Sequence, residues 1–304
     1  MVNLKKFKKI LILSGGISEE RGISQLSAKH VYETIKNQTI TKILDVSDNA
    51  NELLTNIQKF EPDIVFNCLH GYFGEDGQIQ SILNYLKIPY THSGVLTSAI
   101  FMNKIISKKL FKSIGIRSPK SFNEYSIKNQ VFKFPLIIKP ISGGSSYGLL
   151  KINNKKSFNK YFNNKKIKKS KMLIEEFIDG RELTVGILEN KICGVMEIQF
   201  NEELYDYNNK YINIPKHIIN PKLPKKIEEE LIENSLKVHS SLNCNCISRI
   251  DFRYNEETNK TYLLEVNTQP GLTKNSLLPE MAQKKGISFL KLCKILLKNS
   301  ICEI

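Results

Sequence analysis

The chain has 304 residues, 41% hydrophobic and 25% charged, with a formal net charge of +15. That length holds about two domains, or three small ones around a shared site, and the composition is that of an ordinary soluble globular protein. The charge raises nucleic-acid binding as a hypothesis, but the lysines are scattered and the densest patch, Lys151 to Lys171, has little aromatic interleaving. A solvated basic face is the better account, and no nucleic-acid partner is expected. A basic balance also suits substrates that are phosphates and carboxylates. Of the six cysteines, Cys68, Cys193, Cys244, Cys246, Cys293 and Cys302, most lie in apolar runs, which suits buried, reduced thiols. Cys244 and Cys246 have no second Cys/His pair at zinc-ligand spacing. The N-terminal lysines precede an apolar run that stops at Leu13, too short for a membrane span and without a cleavage site. The expectation is a cytoplasmic protein with no membrane partner.

Lys8 to Leu13 reads as a buried strand, followed by the turn Ser14-Gly15-Gly16 and a helix to about Asn37 with Ser18 as its N-cap. Glu20 then falls in the first helical turn, where it complements the helix dipole or faces a bound ammonium group. Thr41 to Val46 and Asp63 to Leu69 read as strands around a helix over Asn51 to Phe60. This alternation predicts a parallel sheet covered by helices, an α/β arrangement. Ligands of such sheets gather at the carboxyl ends of strands, which places Glu20 and His70 on the binding edge. A helix follows through Leu86, then a short strand over Ile88 to Tyr90 and one helix from Thr97 to Ile114 carrying Lys104.

Phe134 to Lys139 is a strand entering the Gly/Ser loop Ile141 to Gly148, and a second strand leaves it. Backbone N–H groups of such a loop can wrap phosphate oxygens, with Lys139 supplying charge, although a flexible hairpin has the same composition. Neither Walker A nor Rossmann spacing is present. Lys171 to Phe177 is a strand on which Glu175 and Phe177 share a face that suits an adenine edge and plane. Glu182 opens the next strand and could take ribose hydroxyls. A polar aromatic loop from Tyr205 to Tyr211 suits closure over a ligand. Lys225 to Leu242 and Ser276 to Leu297 read as helices.

Between those helices lies a pair of strands, Arg249 to Arg253 and Tyr262 to Asn267, joined by the turn Asn255 to Lys260. Asp251 shares a face with Arg249, and Glu265 with Asn267. In-register pairing would converge three oxygen donors beside a guanidinium, a set that suits Mg²⁺. A polar strand end with a surface ion pair is the plainer reading of any one of these residues.

These motifs together resemble the ATP-grasp enzymes and, within them, the D-alanine–D-alanine ligase family. The resemblance runs collinearly through Gly15 to Arg21, His70-Gly71 to Gly77, Lys139-Pro140 with Gly144 to Gly148, Arg249 to Asp251, and Glu265 to Gly271. Ile17, Gly22 and Phe177 depart from the usual pattern. The resemblance implies an α/β chain whose C-terminal lobes are α+β. It would comprise a Rossmann-like, parallel-sheet pre-ATP-grasp domain over 1–97, a central ATP-grasp lobe over 98–185, and a C-terminal lobe with the metal and substrate residues over 186–304. The implied activity is ATP-dependent ligation of two D-alanines through an acyl phosphate, for peptidoglycan synthesis, with two Mg²⁺ ions, replaceable by Mn²⁺, on Asp251, Glu265 and Asn267. Lys104, Lys139, Ser146 and Lys210 would serve ATP, with Glu175, Phe177, Ile178 and Glu182 around the adenosine. Glu20 and His70 would hold the first D-alanine, Arg249 and Gly271 the oxyanion, and Ser276 and Leu277 the second carboxylate. Ser145 and Tyr211 would link to Glu20, and the Lys210-Tyr211 pair implies an amine acceptor rather than D-lactate. A homodimer is the family expectation. Another ATP-grasp carboxylate–amine ligase is the nearest rival, and a non-catalytic nucleotide- or nucleic-acid-binding protein the remote one.

Overall fold

The computed structural model describes residues 7–123, 129, 132–144, 147–163, 171–200 and 215–303. The first unit is built on β1 (Lys9–Gly15), which lies between β2 (Ile40–Val46) and β3 (Ile64–Asn67) in a parallel sheet. From Ile10 onward β1 is buried, as a central parallel strand covered on both faces must be. Helices α1 (Arg21–Ile35), α2 (Ala50–Phe60) and α3 (Gln78–Tyr85) alternate with these strands. Asn49 caps α2, its side chain accepting from the Glu52 N–H at 3.1 Å.

Several local expectations need correction. Ser18 does not cap α1; its hydroxyl donates to the His70 carbonyl at 2.6 Å and accepts from the Glu20 N–H, so the helix starts two residues later and Glu20 occupies the cap position. Ile88 to Tyr90 forms no strand; Tyr90 alone bridges Val65 on one side and Ile301 on the other. The helix expected over Thr97 to Ile114 is two, α4 (Val95–Met102) and α5 (Lys104–Ser113). Asn103 leaves helical geometry at φ −93°, ψ 100°, and its side chain accepts from the N–H groups of Ile105 and Ile106. Lys104 therefore opens a helix instead of lying within one.

A three-stranded antiparallel sheet follows, β5 (Leu150–Ile152), β4 (Leu136–Pro140) and β6 (Met172–Glu176) in that order, with α6 (Lys155–Phe162) beside it. The five-stranded antiparallel sheet has the order β11 (Lys260–Asn267), β10 (Ile247–Asn255), β7 (Arg181–Leu188), β8 (Lys191–Gln199) and β9 (Lys216–Ile219). The division expected after residue 185 falls inside β7, both of whose neighbours belong to this sheet. Helix α7 (Lys225–Ser241) packs on it from one side. On the other side α8 (Leu277–Lys284) approaches the paired Gly186 and Gly194 through Met281. A Cβ at either glycine would come within about 3 Å of the Met281 side chain, closer than packed carbons sit. The last helix expected over Ser276 to Leu297 is also two, because Gly286 at φ +74° turns the chain between α8 and α9 (Phe289–Lys298). Among the described residues no helix is long and apolar enough to cross a membrane. Cys244 and Cys246 pack in different cores, and burial pushes both thiols up to about 12.

Candidate active site

The register of β10 and β11 sets the centre. Asp251 stands opposite Glu265 and Arg249 opposite Asn267, and a bulge just before Glu265 adds Leu264 to β11. Strict alternation would send Leu264 and Glu265 to opposite faces; with the bulge both line one cleft together with Asp251. Arg249 grips Asp251 with two bonds, Nε to Oδ1 at 2.9 Å and Nη2 to Oδ2 at 2.7 Å. The Thr184 hydroxyl donates to Oδ1 at 2.6 Å and the Asn267 amide nitrogen to Oδ2 at 2.9 Å. Thr184, on β7 opposite Asp251, was not singled out by sequence reasoning. Two carboxylates and one amide oxygen are hard donors, and waters and phosphate oxygens would complete an octahedron, so the set fits Mg²⁺.

A cleft open to solvent lies next to this centre. Lys104, Lys139, Glu175, Phe177, Ile178 and Glu182 all line it. Lys104 donates to the Gly143 carbonyl at 2.6 Å and lies 3.7 Å from Glu265. Burial lowers its pKa, against the pull of Glu265. Lys139 meets Glu175 at 2.5 Å, and Lys108 holds the other Glu175 oxygen. The carboxylate expected to read an adenine edge is thus committed to two lysines. Glu182 is paired with Arg253 at 3.1 Å, and Phe177 lies under the Lys151 ammonium, 4.0 Å from the ring centroid.

A second cavity brings together Glu20, His70, Arg249, Gly271, Ser276 and Leu277, residues from four separate parts of the chain. Gly144 borders both cavities. The Glu20 carboxylate lies so near Gly71 and Gly144 that a Cβ on either would sit 2.9 Å from its Oε2. His70 is buried, with Nε2 3.5 Å from the Ser27 hydroxyl and Nδ1 3.6 Å from Glu75. Burial alone would lower the His70 pKa, but its bond to Glu75 and the charges of Glu75 and Glu20 raise it. Glu75, which also accepts from the Gly71 N–H at 2.7 Å, lay in a noted motif without a role of its own. Ser276 is the residue before α8; its hydroxyl oxygen accepts from the Thr273 N–H at 3.0 Å. Gly271 precedes the Leu272 peptide, whose N–H donates to the Ser27 hydroxyl at 3.3 Å and whose carbonyl accepts from His30 Nδ1 at 2.9 Å. Neither Ser27 nor His30 was expected here; their spacing on α1 was the available signal. Ser145, Ser146, Lys210 and Tyr211 lie outside the described residues.

A parallel-sheet unit followed by two antiparallel-sheet units, with a lysine-lined cleft against an acid/amide strand end, is the arrangement of an ATP-grasp ligase. The comparisons carry this further. The family described as D-ala D-ala ligase C-terminus matches residues 111–298, and D-ala D-ala ligase N-terminus matches residues 42–93. The chain belongs to the D-alanine–D-alanine ligase family. It is 45% identical to the D-alanine–D-alanine ligase of Pelagibacter ubique, over 96% of this chain and 98% of that one. With the ligase of Wolbachia pipientis wMel it shares 41% identity, over 96% and 94% of the two chains. A crystal structure of D-alanine–D-alanine ligase from Bacillus anthracis superposes with a TM-score of 0.82 at 30% identity, covering 96% of each chain. The ATP complex of that enzyme gives 0.80 at 28%, covering 96% of this chain and 97% of that one.

Proposed function

We propose that this chain joins two D-alanines into D-alanyl-D-alanine at the expense of ATP, for peptidoglycan precursor synthesis. The observation that carries the reading is the meeting of Glu20, His70, Arg249, Gly271 and Ser276 in one cavity bordering the lysine-lined cleft. A carboxylate and a histidine whose pKa, despite burial, is raised by Glu75 and Glu20 suit the ammonium and carboxylate ends of one amino acid. The start of α8, where the helix dipole is positive, and the Ser276 hydroxyl suit the carboxylate of a second.

On this reading a carboxylate oxygen of the first D-alanine bonds to the γ-phosphorus as the bridging P–O bond to ADP breaks, giving an acyl phosphate. The amine nitrogen of the second D-alanine then attacks the acyl carbon, and the tetrahedral adduct collapses by losing phosphate. Lys104 and Lys139 hold phosphate oxygens, and the Arg249 guanidinium and the Gly271 N–H face the developing oxyanion, a role that is worth about 3 kcal/mol per donor. Asp251, Glu265 and Asn267 would hold Mg²⁺, or Mn²⁺ in its place, which would neutralise charge on the phosphates. Phe177, Ile178 and Glu182 enclose the adenosine, and Ser146 and Lys210 contribute to the phosphate side. Ser145 and Tyr211 tie to Glu20, and the Lys210-Tyr211 pair favours an amine acceptor over D-lactate. Three units, a cytoplasmic setting and a homodimer complete the proposal on the strength of family membership.

Phosphate release from ATP, measured with each D- and L-amino acid and with D-lactate, tests the reading. Turnover that requires D-alanine and forms the dipeptide is expected; a purified, folded enzyme without D-alanine-dependent turnover would overturn it.

A further inference from the structure

Lys104 and Lys108 stand one turn apart on α5 and so share a face of that helix. Lys104 reaches the nucleotide cleft directly, whereas Lys108 does not line it. The Lys108 ammonium instead meets Glu175 Oε2, and Lys139 takes Glu175 Oε1 at 2.5 Å. The side chains of Lys108, Glu175 and Lys139 are only 11%, 3% and 9% exposed, so water does little to weaken this chain of charges. Burial alone would raise the Glu175 carboxyl, yet the two lysines hold it below its ordinary value. Burial lowers the Lys108 ammonium, with Glu175 acting against that fall.

We infer that Lys108 is a positioning residue for the nucleotide phosphates, acting through Glu175 on Lys139. The inference rests on the reading of Lys139 as a phosphate ligand. One carboxylate balances one cation. With Lys108 on its second oxygen, Glu175 holds Lys139 in place while the trio keeps a net positive charge at the cleft wall. Without Lys108, Lys139 and Glu175 form a neutral pair, and the ammonium that should face a phosphate is bound to its carboxylate.

The test is steady-state kinetics of the full chain with Lys108→Met, Lys108→Arg, Lys139→Met and the double variant Lys108→Met/Lys139→Met. Lys108→Met is expected to raise KM for ATP about tenfold while kcat and KM for D-alanine stay within about twofold. Lys108→Arg should recover most of the loss, and adding Lys108→Met to Lys139→Met should cost less than about twofold more, because the two act as a unit. A side chain that merely supports α5 would instead lower kcat, raise both KM values, or add its full effect to Lys139→Met. A KM for ATP within about twofold of the parent in Lys108→Met overturns the inference. KM does not depend on how much protein folds, and Lys108→Gln serves if Lys108→Met yields none. ADP binding followed by calorimetry on the parent and Lys108→Met decides the role of Lys108 even if no D-alanine-dependent turnover is found, an outcome that would count against the ligase reading alone.

Discussion

His30 Nδ1 donates to the carbonyl oxygen of Leu272 at 2.9 Å, and the His30 ring is stacked on Phe289 at 3.8 Å between centroids. With Ser27 taking the Leu272 N–H, helix α1 grips both ends of the residue after Gly271. The helix that begins at Glu20 therefore also fixes the loop assigned to the oxyanion. His30→Ala should lower kcat by roughly tenfold to a hundredfold through misplacement of that loop, leaving KM for ATP unchanged. Equal losses in kcat and in ATP affinity would sink this assignment.

Asp251 and Glu265 face each other but are held differently. Asp251 accepts from Arg249, Thr184 and Asn267, while the Glu265 side chain is 25% exposed. Asp251→Ala leaves a largely buried arginine without its carboxylate and should cost about 3 kcal/mol of stability in urea unfolding. Glu265→Gln should cost little stability and about a hundredfold or more in turnover. Turnover retained in Glu265→Gln would mean that the metal position is misassigned.

Two buried histidines make stability depend on pH. Burial brings His239 down to about 4, and burial aided by the charge of His70 brings His92 down to about 3. Such a group takes up its proton only on unfolding. Its contribution is complete above the ordinary value of 6.5 and is lost as pH falls toward 4 and 3. Stability should fall by about 1.4 kcal/mol per pH unit for each histidine across that window. His239 Nε2 donates to the Asn190 amide oxygen at 2.9 Å and Nδ1 accepts from the Ser248 hydroxyl at 2.7 Å, so His239→Gln should keep polar partners while reducing the slope. Thermal unfolding between pH 4 and 7 checks this, and an unchanged slope would refute it.

Glu303 accepts from the Val95 N–H at 3.0 Å, at the start of α4. Glu303→Ala should cost about 1 kcal/mol, the usual value of a helix cap. A Cβ at Gly94 would fall 1.9 Å from Glu303 Oε1, so Gly94→Ala must expel the same side chain. The double variant should then lose little beyond either single one. Additive losses in melting experiments would show that the two positions act separately.

The strand pair of Arg249 to Asn267 was legible because alternation and register are local and fix which residues face one another. The family was legible because its motifs stand in order along the chain. What escaped was set by tertiary partners or by competing short-range bonds. Asn103 breaks a helix that apolar spacing would continue, since its side chain caps the next one. Ser18 looked like a cap until the His70 carbonyl claimed its hydroxyl. Glu175 was read from its strand face and from the family resemblance, neither of which shows that Lys108 approaches it from α5. Its position one turn after Lys104 was the one signal present in the sequence.

Tyr90 pairs with Val65 on one side and Ile301 on the other. During synthesis on the ribosome, the unit containing Tyr90 emerges long before Ile301 is made. Until then one side of the Tyr90 backbone lacks its partner and can pair with another nascent chain. A truncation that removes only the residues around Ile301 would leave every candidate catalytic residue in place, yet should reduce the yield of monodisperse protein.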